Sequence, residues 1–122
     1  MDLKLRTHPN VLFAYTPNSV DLVVRVENNE KETYWVEADI SVPQKISLAP
    51  TSSVKKGRVR IGILAGEEFI EKAVKIYADA YTSPQMYRSK ITIFFYDKNG
   101  IIHSRTEKGI DIQCEIKKKE FM

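Results

Sequence analysis

The sequence predicts an all-β fold: a sandwich of two antiparallel sheets built from about seven strands. Two observations carry that expectation. The first is a recurring two-residue hydrophobic alternation. Val20, Leu22, Val24 and Val26 alternate with Asp21, Val23, Arg25 and Glu27, and Ile110, Ile112, Cys114 and Ile116 alternate with Asp111, Gln113, Glu115 and Lys117. A strand turns successive side chains to opposite faces, so each run has one buried and one wet face. The second is punctuation: Pro, Asn, Gly and Ser cluster between short runs, at the spacing of a multi-stranded sandwich.

Taken in order, residues 3–5 and 11–15 are short apolar pieces flanking His8-Pro9-Asn10, read as a kinked edge strand or two short strands. Thr16-Pro17-Asn18 turns the chain into the strand at residues 20–27. Slipping its register by one residue would bury Asp21, Arg25 and Glu27 in place of four aliphatics, so the register is firm. Asn28-Asn29-Glu30-Lys31 reads as a wet hairpin connection. Tyr34, Val36, Ala38, Ile40 and Val42 then face inward against Trp35, Glu37, Asp39 and Ser41, and the run stops at Pro43. Residues 46–48 form a short edge strand closed by Pro50. Val59, Ile61 and Ile63 are expected inside, alternating with Arg58, Arg60 and Gly62.

Residues 67–81 fit two periods. Phe69, Ile70, Ala73, Val74, Ile76, Tyr77, Ala80 and Tyr81 suit a helical face, which would make the protein α+β. Ile70, Val74, Ile76 and Ala78 also share a strand face, with Lys72 as the exception. β segments on both sides and Gly66 at the entry favour the strand. Ile91, Ile93 and Phe95 then alternate with Thr92, Phe94 and Tyr96. Asp97-Lys98-Asn99-Gly100 supplies a hairpin turn, with Gly100 suited to positive φ. The return strand starts at Ile101-Ile102 and is expected to break or bulge at Glu107-Lys108-Gly109. The charged tail, residues 117–122, is expected to fray.

From Leu64 onward the chain resembles an immunoglobulin-like module of the fibronectin-III or bacterial and archaeal adhesion-domain kind. The residues that carry the resemblance are Leu64-Ala65-Gly66-Glu67, Val74-Lys75-Ile76, Pro84, Tyr87, Ile91-Thr92-Ile93 and the turn from Tyr96 to Gly100. Tyr87, just ahead of a strand, resembles the residue of a tyrosine corner. The resemblance implies a non-catalytic binding or spacer unit and transfers no functional residue. Without a Cys-Trp-Cys set the chain departs from antibody-type domains, and Trp35 falls on the face opposite Tyr34, Val36 and Ala38.

A length of 122 residues fits one domain, residues 1–122, and suffices to bury a core without disulfide or metal. The net charge of +3 is too mild for a nucleic-acid signature. Cys114 is the lone cysteine, so no intrachain disulfide forms, and its parity points it inward as a small hydrophobe. Met1 to Arg6 lacks the apolar stretch of a secretory signal, and no run approaches a membrane span, so the expectation is a cytoplasmic protein.

Reaction chemistry is thin. His8 and His103 stand far apart without zinc-ligand spacing, and Ser53, Ser89 and Ser104 lie outside any nucleophile elbow. The pairs Glu67-Glu68 and Glu37 with Asp39 read as wet charges, and no phosphate-binding glycine loop is present. The expectation is a non-enzyme with no catalytic residue, metal or cofactor. Two surfaces stand out. Trp35, Val23, Tyr77, Phe94 and Tyr96 take outward parity, and Trp35, Phe94 and Tyr96 with a polar rim of Glu37 or Arg58 are the candidate interface. The expected partner is protein, in the simplest scheme another copy of the chain in a homo-oligomer. Lys55, Lys56, Arg58 and Arg60 form the densest basic cluster. They are the alternative site, for nucleic acid or another anionic ligand, set against the reading that they protect a sheet edge.

Overall fold

The computed structural model describes residues 1–117; the tail expectation from residue 118 on lies outside the described residues. Nine strands follow in order: β1 (Asp2–His8), β2 (Val11–Phe13), β3 (Asn18–Glu27), β4 (Tyr34–Ser41), β5 (Ile46–Ser47), β6 (Lys56–Leu64), β7 (Phe69–Ala78), β8 (Gln85–Tyr96) and β9 (Ile102–Glu115). One sheet has the order β1-β3-β7-β5 and the other β2-β9-β8-β4-β6. The count exceeds the expected seven because the edge pieces around Pro9 and at Ile46 each form a strand of their own. β2 also runs parallel to β9, so the larger sheet is mixed rather than purely antiparallel.

Residues 67–81 lie in the strand reading, as β7, paired with β3 along its whole length from Glu27↔Phe69 to Asn18↔Ala78. Its odd residue, Lys72, shares the inward parity yet stays exposed. Up to β8 every connection crosses from one sheet to the other, and among the described residues only β8–β9 is a hairpin. The hairpin expected at Asn28-Asn29-Glu30-Lys31 is therefore a crossover. Asn28 is buried in it, its amide donating to the carbonyls of Glu32 (2.7 Å) and Ala65 (3.2 Å) while its oxygen accepts from the Glu30 N–H (3.0 Å). A buried backbone crossing needs such partners, and asparagine offers both donor and acceptor.

The inner faces close on one apolar cluster that includes Leu22, Val24, Ile76, Val36, Ile40, Ile91, Ile93, Phe95, Ile112 and Cys114. Tyr87 lies buried at the end of this core, and its hydroxyl donates to the Ser83 carbonyl at 2.7 Å, the bond of a tyrosine corner.

Two irregularities at one level of the larger sheet depart from simple parity. Between β4 and β6 the register moves from Val36↔Gly62 to Glu37↔Arg60, so Ile61 is an extra residue. Ile61 stays buried, Gly62 takes φ +136°, and Leu64 turns inward in place of Ile63, which is 67% exposed. The expectation that Ile63 is core is thus overturned by a bulge, which resets parity. Between β8 and β9 the register moves from Phe95↔Ser104 to Tyr96↔Ile102, with His103 extra. The break expected at Glu107-Lys108-Gly109 falls instead at His103, whose ring stacks on Tyr34 at 4.7 Å with Nε2 3.3 Å from Glu30. Glu30 also accepts from the Tyr34 hydroxyl at 2.9 Å, and burial, aided by that carboxylate, pushes the Tyr34 phenol up to about 12.

Candidate functional site

Residues directly opposite on paired strands share a face, so the registers lay out the outer face of the larger sheet. Reading from β6 across β4 and β8 to β9, its first row is Ile63, Trp35, Tyr96 and Ile102. The second row is Arg60, Glu37, Phe94 and Arg105, and the third is Arg58, Asp39, Thr92 and Glu107. A fourth follows with Lys56, Ser41, Lys90 and Gly109. The apolar row reaches water: Ile63 is 67% exposed, Trp35 38% and Ile102 52%. Both bulges lie at this level, and they bring Ile63 and Ile102 into line with Trp35 and Tyr96.

Polar contacts hold the face in shape. The Trp35 indole donates to Glu37 at 2.8 Å. Arg58 forks onto Asp39, Nε to one oxygen at 2.7 Å and Nη2 to the other at 3.0 Å. Hydrogen bonding from that guanidinium holds the Asp39 carboxyl below its ordinary range, and raises Arg58 in turn. Arg58 also lies 5.0 Å from the Phe94 ring centroid, Arg105 lies 5.9 Å from it, and Arg60 sits 5.5 Å from that of Trp35. The aromatic surface is thereby flanked by guanidinium groups.

The structure brings Trp35, Glu37, Phe94 and Tyr96 together on this face, with Lys56, Arg58 and Arg60 beside them on edge strand β6. Lys55 does not join them. It precedes β6, and its ammonium donates to the Ile46 carbonyl at 2.6 Å. The basic cluster is thus three residues of β6, one of them already neutralised by Asp39. Sequence reasoning missed three members: Ile63, assigned to the core; Ile102, read only as a strand start; and Arg105, whose partner strand had not been placed. Val23 and Tyr77 do point outward, but from the smaller sheet, where Val23 is packed between Arg6 and Ala73. His8 ends β1 in the smaller sheet and His103 sits on β9 in the larger, so they do not converge.

The smaller sheet's outer face provides the contrast. Lys4 pairs with Glu27 (3.4 Å), Arg6 with Glu71 (3.2 Å), Arg25 with Glu27 (2.9 Å) and Glu71 (3.5 Å), and Lys75 with Asp21 (3.2 Å). Each lysine and arginine there has a carboxylate. On the larger sheet Lys56, Arg60 and Arg105 have no ion-pair partner among the described residues.

No family model and no curated protein matches the chain. Among solved structures it is similar to self-complemented MyfA, the major subunit of Myf fimbriae from Yersinia enterocolitica. The TM-score is 0.54 at 7% identity, over 94% of this chain and 99% of that one. It is similar also to Spo0M, a sporulation control protein from Bacillus subtilis, with a TM-score of 0.52 at 11% identity. That match covers 95% of this chain and 49% of Spo0M, so the chain spans about half of the protein it resembles there. Likeness at these identities is one of fold: an all-β, immunoglobulin-like sandwich of two sheets.

Proposed function

We propose that this protein is a non-enzymatic interaction module that docks another polypeptide on the outer face of its larger sheet. The observation that carries the reading is the row Ile63–Trp35–Tyr96–Ile102, exposed at Ile63, Trp35 and Ile102 and half-buried at Tyr96, continuous across four strands and flanked by arginines. Interface centres are enriched in Trp, Tyr and Arg, and exposed contiguous apolar patches on soluble domains mark docking sites. A bulge placed beside the row on each flank, each re-aiming one isoleucine outward, supports the same reading.

The first occupant to test is a second copy. The row reads Ile-Trp-Tyr-Ile, so a two-fold axis along the strands brings Ile63 onto Ile102 of the other copy and Trp35 onto Tyr96. Absolute mass by light scattering, at low and high salt, tests this for the wild type and for Trp35→Ala. A salt-resistant dimer that becomes monomeric in Trp35→Ala supports self-association through the row. A wild-type monomer at every salt rules that occupant out, and a dimer unchanged by Trp35→Ala rules out the row.

A further inference from the structure

We infer that the polypeptide received by this face is an acidic segment, its carboxylates meeting Arg60, Arg105 and Lys56 while an apolar side chain rests on the Trp35 row. This rests on the docking reading and names the partner's chemistry. The argument is charge complementarity. On the four rows, Lys56, Arg58, Arg60, Lys90 and Arg105 stand against Glu37, Asp39 and Glu107, five positive charges to three negative. Asp39 is committed to Arg58, and Glu107 to Lys90 at 2.9 Å. Glu37 lies 3.7 Å from Arg58 and accepts from the Trp35 indole. That leaves three cations without an ion-pair partner among the described residues: Arg60 and Arg105 at the two ends of the second row and Lys56 at the β6 end of the fourth.

Arg60 stands beside Trp35, outside the hollow that lies between Lys56 and Arg105. That open hollow, of about 460 Å³, is lined by Lys56, Arg58, Lys90, Thr92, Phe94 and Arg105 and by the Asp39 carboxylate that Arg58 holds. It joins the apolar row through Phe94, whose ring lies 6.4 Å from that of Tyr96. The one carboxylate in the lining, Asp39, already has its charge met by Arg58. An entering carboxylate finds Lys56 and Arg105, both unpaired among the described residues, and the Thr92 hydroxyl. Such charge-assisted hydrogen bonds are the strong ones.

A second copy fits this charge poorly. The same two-fold axis that matches the apolar rows sets Arg60 against Arg105 of the other copy, twice. It also sets Arg58 against Glu107, but both are already paired within their own copy, and the two surfaces each carry excess positive charge. Burying like charges opposite one another is unfavourable. Glu37, Asp39 and Glu107 space the cations apart, which suits separated carboxylates on a peptide with an apolar side chain for the Trp35 row better than a charge at every residue of a phosphate backbone.

The experiment is fluorescence anisotropy with a labelled peptide of alternating Glu and Phe. Its Lys–Phe counterpart and an oligothymidine of matched charge serve as comparisons. Wild type, Arg60→Gln/Arg105→Gln and Trp35→Ala are titrated at several salt concentrations, after their thermal midpoints show that each folds. The expected result is binding of the Glu–Phe peptide alone. The double variant should weaken it at least about ten-fold and flatten its salt dependence, and Trp35→Ala should weaken it at every salt.

Unchanged affinity in the double variant, with loss in Trp35→Ala, overturns the acidic partner and leaves the docking face standing. Affinity unchanged in both variants overturns the docking face as well. No binding of the Glu–Phe peptide by wild type overturns the inference. So does equal or tighter binding of oligothymidine that the double variant abolishes, which assigns the cations to nucleic acid. A double variant that dimerises more tightly than wild type, without peptide, assigns the face to a second copy.

Discussion

Against the burial that opposes it, Arg58 and Arg105 favour the charged form of Asp39. Arg58 forks onto it, and the effect on its titration is a pKa held below the usual aspartate value. Glu27, Glu71 and Glu107 are likewise lowered, first by hydrogen bonds from Arg25, Arg6 and Lys90 respectively. A carboxyl with a depressed folded-state pKa binds fewer protons than in the unfolded chain. Its contribution to stability is therefore complete above the unfolded value of about 4 and is lost as pH falls through the folded one. The thermal midpoint should hold steady from neutral pH down to about 5 and then fall. Asp39→Asn should lower the plateau and make the fall shallower, which a series of melts at graded pH checks. At this scale the sequence was legible wherever parity alone decides. Trp35, Phe94 and Tyr96 point outward and Cys114 inward, as their alternation requires, and Tyr87 donates back to Ser83. Asn28 and Lys55 were not legible. Both looked like wet polar residues, and both instead bond carbonyls of segments distant in sequence, which only the assembled fold brings near.

Gly62 is the residue on which β6 turns over. Its φ of +136° is one that L side chains rarely adopt, and a Cβ there would sit 3.0 Å from the Ile70 Cδ1. Gly62→Ala should therefore cost about 1–3 kcal/mol, read as a lower urea midpoint with an unchanged slope. An unaltered midpoint would mean that the bulge tolerates a side chain. The element lesson lies in the same place. Strict alternation placed Val59, Ile61 and Ile63 together inside; Gly62 within the run was the local sign of a bulge, but which residue is extra is fixed by the partner strand's register. β7 shows the opposite case: its two competing periods are decided by β3, which pairs with it residue for residue. Lys72, the residue that spoiled the strand pattern, keeps its ammonium wet from an inward-parity position. β6 also shows why an edge needs charge. A second β6 paired antiparallel about Arg58 would set Arg58 against Arg58 and Lys56 against Arg60, an unfavourable ladder of like charges.

Core and outer face of the larger sheet are separable by substitution. Leu22 is fully buried between the sheets, so Leu22→Ala should cost about 2–5 kcal/mol in unfolding free energy. Trp35 lies on the outer face, and Trp35→Ala should cost less than about 1 kcal/mol, because exposed substitutions away from the core change stability little. Equilibrium urea unfolding of both variants checks the pair of values; a large loss for Trp35→Ala would make the tryptophan a structural residue. The sandwich class was readable because alternation is a property of each segment by itself. Topology was not. The chain changes sheet at every connection before the final hairpin, and a crossover such as the one through Asn28 has the same turn-like composition as a hairpin.

The two broad surfaces differ in kind. One has every lysine and arginine ion-paired and, among the described residues, a single exposed aromatic, Phe69, under Arg25; the other carries an apolar row and unmatched cations. Under the docking proposal, that asymmetry leaves one docking face on the sandwich. A unit with a single adhesive side completes a pair and stops there, since growth into a chain or ring requires a second, different surface to receive the next unit. Under that proposal, raising the protein's concentration fills more pairs without lengthening anything, and docking through this face ends an assembly rather than extending it.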